Sequence, residues 1–233
     1  MASDHQQEIL RLREQHLSPK QIARQLGLRP SEVSAILQAH AEQVTQARSA
    51  RGKLPPLKHC LIDESAAHAL LDPHPSEDAD ASADPFGHGL AQIFVTRSER
   101  NMLWVGSYLV DYWCLGVKDC LGPTKMEQHK YDQLIQGSFA RSEQAIREIS
   151  LAQAQSIIWG AVDYAAELGF SPHRDFEAAK AHAGQLEQPL QPLSFGRDGK
   201  PFFISGPYDQ PRRILATLRD RVGEGNFDYL IQA

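Results

Sequence analysis

The chain has 233 residues, 42% hydrophobic and 23% charged, which gives apolar material for one mid-sized domain plus a small one. No run approaches the roughly 18 apolar residues that span a bilayer, and MASDHQQEIL lacks a basic flank followed by an apolar stretch, so a cytoplasmic protein with no membrane role is expected. The net charge of −5 is unevenly divided: residues 1–58 hold nine Lys/Arg against five Asp/Glu (+4), the remainder 15 against 24 (−9), a split that suits an N-terminal piece meeting a polyanion.

A first helix is expected over residues 4–16, with Ile9, Leu10, Arg13 and Leu17 along its inner stripe. Ser18 then caps a second helix that Pro19 opens, ending at Leu26. Pro30 repeats the device for a third, whose apolar pattern runs on through Val44 and Ala47 to the break at Gly52 and Pro55-Pro56. The spacing Ala23, Gly27, Val33, Ile36 has a steric reason at each position. A small residue allows two helices to approach, a glycine ends the second helix, and two apolar residues one turn apart face inward.

These residues resemble the helix-turn-helix hairpins of bacterial regulators, recombinases and sigma-factor C-terminal domains, over residues 5–40. The resemblance implies a duplex DNA partner, with the start of the third helix at base edges and the second helix across the backbone. Arg29, Ser31, Glu32, Ser34 and Gln38 would then face DNA, and Lys20 and Arg24 would meet phosphates. Glu32 fits least well, since it repels phosphate unless it accepts from a cytosine amino group. One such hairpin touches few phosphates, so a homodimer is expected. A protein partner is the alternative reading of the same unit.

Residues 54–89 are read as linker, the acidic DPHPSEDADASADPFGHG being its clearest part, with a short strand and a helical turn within 59–71. Residues 90–96 and 102–115 alternate as a β-hairpin, Gly106 marking a bulge or a close approach. Residues 116–124 read as a turn into a helix over 125–136. Residues 141–169 read as helical, closed by Gly169, and Ser171-Pro172 as the entry to another helix. Residues 192–205 read as a second hairpin turning at Asp198-Gly199. Asp209 is expected to cap a helix over 210–222, with a last short strand in 223–231. The fold class expected is α+β: a three-helix helix-turn-helix unit (1–53), the linker (54–89), and an α+β domain (90–233) with two hairpins around a helical middle.

Two places could carry chemistry in that domain. Residues 108–120 gather Asp111, Cys114, Lys118 and Asp119 after an apolar strand, and His173 opens the segment 171–176. An enzyme would need His173 to converge with Asp111, Lys118 or Asp119 in one pocket. The plainer reading makes Asp111 a turn residue, Cys114 a buried small hydrophobe, and Lys118 and Asp119 solvated charges. Residues 108–120 and 164–176 also resemble segments of uncharacterised bacterial proteins, a likeness that implies no function. Cys60, Cys114 and Cys120 lack zinc spacing and read as reduced thiols; no Walker loop, Gly-x-Ser-x-Gly or His-Glu-x-x-His occurs. No metal or cofactor is expected. The reading is a DNA-binding transcriptional regulator with a sensing or dimerisation body.

Overall fold

The computed structural model describes residues 6, 8, 9, 11, 12, 19–33, 36, 54–72, 89–139, 145–186 and 188–231, in two compact units divided after Leu54. The first unit contains helix α1, Pro19–Leu26. Residues 6, 8, 9, 11 and 12 are helical, as are 30–33 and 36. Gly27 stops α1 with φ of 68°, and the Leu28 N–H reaches back to the Ala23 carbonyl at 2.9 Å, a left-handed cap that a side chain would strain. Ile9, Leu12, Ile22, Ala23 and Val33 are buried together, with Leu26, Leu28 and Ile36 around them. The expected continuation of a third helix through residue 47 lies outside the described residues.

The second unit is α+β, built on a five-stranded antiparallel sheet ordered β4-β3-β2-β1-β5. Its strands are β1 (Leu57–Asp63), β2 (Leu90–Glu99), β3 (Met102–Asp111), β4 (Gly116–Met126) and β5 (Ile146–Ile149). The expected hairpin is β2–β3, turning at Arg100 with φ of 57°. Strand alternation sorts its side chains onto two faces. Ile93, Val95, Tyr108 and Val110 join one core with helices α2 (Glu64–Leu71), α4 (Leu151–Glu167) and α5 (Phe176–Ala183). Phe94, Leu103 and Val105 join a second core with Tyr131 and Phe139 of α3 (Gln128–Phe139). The sheet therefore has helices on both faces.

Gly106 serves both roles anticipated for it. The β3–β4 register shifts there, and a Cβ would lie 2.8 Å from His182 Cδ2 on α5. That open place lets the fully buried His182 lie against the sheet, where its Nε2 donates to the Val95 carbonyl at 3.1 Å. Arg97, also buried, donates from Nε to the His182 carbonyl and from Nη1 to the Pro55 carbonyl. Tyr108 ties β3 to α5 through its hydroxyl, which donates to the Ala179 carbonyl at 2.8 Å.

Four expectations are corrected by the topology. Residues 57–71 belong to the body, because β1 lies between β2 and β5 and α2 packs into the core; Arg147 of β5 holds α2 through Glu64 and Asp72. Residues 116–126 form β4 rather than a turn, its Gly122-Pro123 tolerated because β4 is a sheet edge. The helical middle begins at Leu151, since Ile-Arg-Glu-Ile before it pairs with β1 as β5. Ser171 caps nothing: the His173 N–H donates to the Val117 carbonyl, pinning residues 171–175 along β4 until Asp175 precedes α5.

The second expected hairpin is also absent. Its two-residue turn forms, with Asp198 and Gly199 at φ of 53° and 78° and Arg197 and Lys200 exchanging backbone bonds, but no ladder follows. Pro192 and Pro201 in its arms have no N–H for one, and the Gly196 and Phe202 N–H groups donate instead to the Tyr112 and Trp113 carbonyls. Strand β6 (Phe202–Ile204) pairs instead with β7 (Asp228–Leu230), parallel, across helix α6 (Pro211–Val222). This β-α-β unit buries Phe203, Leu215, Leu218 and Phe227 against Cys114 and Leu168.

Candidate functional site

Asp111 ends β3, and its Oδ1 accepts from the N–H groups of Trp113 (3.1 Å) and Cys114 (2.9 Å), closing the turn into β4. Gly116 completes the reversal at φ of 69°. Two residues later the ladder breaks. Val117 faces Val110 and Asp119 faces Leu109, so Lys118 is the extra residue of a β-bulge. A bulge re-aims a side chain, and Lys118 Nζ reaches Asp209 Oδ2 at 2.7 Å, both side chains mostly buried at 17% and 13% exposure. Asp209 is not the N-cap of α6, a position taken by Gln210; its carboxylate binds Lys118 and the Gly206 N–H, also at 2.7 Å. Between these groups lies a cavity of about 230 Å³ lined by Leu90, Asp111, Lys118, Phe202, Ile204 and the loop 205–207. It sits at the carboxyl end of β6, where a β-α-β connection leaves room for ligands.

Asp111 is 5% exposed. Burial raises its carboxyl to about 6, against the nearby Lys118 ammonium and the turn N–H bonds, which hold it down. Cys114 beside it lies in the apolar core of the β-α-β unit, and burial with the Asp111 charge pushes its thiol up, so it is a poor nucleophile.

The other candidates are elsewhere. His173 Nδ1 lies 3.9 Å from Asp119 and 3.7 Å from Asp175, in a cluster whose two carboxylates are exposed. His173 does not line the cavity, so the convergence with Asp111 or Lys118 that an enzyme reading required is missing, while Asp119 meets it only at the surface. Among the described residues no group of three or more His, Cys, Asp or Glu is placed to hold a metal.

No protein-family model, curated protein or solved structure matches the chain.

In the first unit Lys20 and Arg24 lie on α1, and Arg24 is exposed, as are Arg29 and Ser31. Ser34 and Gln38 fall outside the described residues. Arg29 precedes the helical residues 30–33, and Glu32 accepts its backbone N–H at 3.1 Å and its guanidinium at 2.6 Å. The first of these is one half of a capping box. Glu32 thus has a local reason to be where it is, and it holds the Arg29 charge.

Sequence reasoning names Asp111 and Lys118 but not their partner. Asp209 is legible as a capping residue only, and Phe202 to Ser205 as a hairpin arm. The signal that could have found them is the order strand, Ser205-Gly206-Pro207-Tyr208-Asp209, helix, strand, which reads as a β-α-β unit with its loop at a strand's carboxyl end.

Proposed function

We propose that the chain is a DNA-binding protein of the helix-turn-helix kind, acting in transcription regulation as a homodimer with the body as its sensing or dimerisation part. The observation that carries this reading is the Gly27 turn between α1 and the helical residues 30–33. Ile22, Ala23 and Val33 are buried around it while Arg24, Arg29 and Ser31 stay exposed. Such a turn sets two helices at an angle that presents the start of the second to a groove. The +4 charge of residues 1–58 favours a phosphate backbone over a neutral surface. A dimer doubles the phosphate contacts that a single hairpin makes.

The test is fluorescence anisotropy of the full chain with a labelled random duplex across a salt series. Binding that weakens steeply from about 50 to 200 mM salt, and a several-fold loss in Lys20→Ala and Arg24→Ala, are the expected results. No binding at low salt, or affinity unchanged by both substitutions, would sink the reading. A salt-insensitive interaction would point to a protein partner.

A further inference from the structure

Apart from the DNA reading, the body holds a cavity whose charge is not balanced. Its lining combines the apolar side chains of Leu90, Phe202, Ile204 and Pro207 with Asp111, Lys118 and Ser205, Leu90 standing directly across the strand pair from Asp111. The Lys118 ammonium is engaged by Asp209, so among the described residues that line the cavity one cation answers two carboxylates. Among the described residues Cys114, Tyr112 and Tyr164 also feel Asp111, and burial holds all three in their uncharged forms. Asp111 is therefore a buried carboxylate at the cavity wall with a spare negative charge. A buried charge without a counter-ion is costly, and a bound cation removes that cost.

The geometry points to this cavity as a binding site for a small organic ammonium with an apolar body, its charged head against Asp111 and its body against Leu90, Phe202 and Ile204. At interior packing density the volume holds roughly nine or ten non-hydrogen atoms. Gly206 borders the site because the loop runs close to the ion pair: a Cβ there would stand 3.2 Å from Asp209 Oδ2 and 3.4 Å from Lys118 Nζ. The exposed Tyr208, 97% accessible, follows directly on the same loop. The loop leads through Asp209 into α6, so a molecule in the cavity borders the segment that carries one partner of the ion pair and the helix start.

The probe is 2-phenylethylamine, compared with phenylacetate and 2-phenylethanol, in titration calorimetry on the full chain. Saturable one-to-one binding of the amine, about tenfold tighter than either isostere, is the expected result. Asp111→Asn keeps an oxygen for the Trp113 and Cys114 N–H groups, so the turn survives, and it should weaken the amine about tenfold. In the unaltered protein the amine, charged throughout, should bind about tenfold more weakly at pH 5 than at pH 7.5, as Asp111 takes up its proton. Equal binding of the alcohol or the carboxylate, no saturation by the amine, or an affinity indifferent to both Asp111→Asn and pH would overturn the assignment. None of these results depends on DNA binding.

Discussion

Two buried groups, Asp111 and His182, make opposite demands on pH. Asp111 titrates at about 6 in the folded chain and near 3.8 when unfolded, mainly because burial disfavours its charge. A raised carboxyl contributes stability that is complete below pH 3.8 and is lost as pH rises through about 6. His182 is lowered from 6.5 to about 4, first by burial and then by the Arg97 charge, so its contribution is complete above pH 6.5 and is lost as pH falls through about 4. Its Nε2 donates to the Val95 carbonyl and its Nδ1 has no hydrogen-bond partner among the described residues, the pattern of a neutral ring. Each effect is worth at most about 3 kcal/mol. Asp111→Asn isolates one of them. In urea unfolding the variant should gain stability over the unaltered protein at pH 7.5, by up to about 3 kcal/mol, and the gap should narrow to about 1 kcal/mol at pH 4.5 and close below pH 3.8. A gap that widens toward acid would show that the folded chain favours the ionised carboxyl.

At the scale of elements, Gly106 is the place where β3 admits α5. Gly106→Ala puts a methyl 2.8 Å from His182 Cδ2 and 3.1 Å from Tyr108 Oη, both fully buried, so neither can swing away. The expected cost is roughly 1–3 kcal/mol, read as a lower urea midpoint at unchanged slope. The hairpin around this glycine is legible in the sequence because β2 and β3 are long, apolar and β-branched, and their period of two is unmistakable. Strand β4 is not, because it carries Gly116, Lys118, Asp119 and Pro123, and only its pairing with β3 makes it a strand. Strand β5 merges with the helix after it, since four residues give too short a period to separate. The signal that separates them is Ser150 with Gln153, a reciprocal capping box that marks where α4 starts. The Asp198-Gly199 pair does make its turn but not the expected arms, because a turn residue fixes local backbone and says nothing about which strand will pair. The cavity is half legible for the same reason: Asp111 and Lys118 are near neighbours along the chain, while Asp209 and the loop 205–207 arrive from a β-α-β unit whose parallel pairing is non-local.

For the molecule as a whole, charge is divided as +4 over residues 1–58 and −9 over the rest, and the DNA proposal rests on how much of the positive share is available. Arg29 is an exposed cation at the start of the helical residues 30–33, yet its guanidinium is held by Glu32 at 2.6 Å. In water an exposed pair of this kind is worth little to stability. It matters more to a polyanion, because a carboxylate at that spot both occupies the arginine and repels phosphate. Glu32→Gln separates the two roles. A glutamine side chain can still accept the Arg29 N–H as half of a capping box, so the fold should change little. Freed from its carboxylate, Arg29 should pair with a phosphate. Affinity for a random duplex at about 100 mM salt should rise several-fold, and the plot of log affinity against log salt should steepen by about one charge. Arg29→Ala should accordingly cost less than Arg24→Ala in the unaltered background and more in Glu32→Gln. If Glu32→Gln instead lowers affinity, and does so only for duplexes with a cytosine at one position, then Glu32 reads a base and the pair with Arg29 opens on binding. If it changes neither affinity nor salt slope, residues 29–32 do not face DNA, and the proposed orientation of the hairpin is wrong.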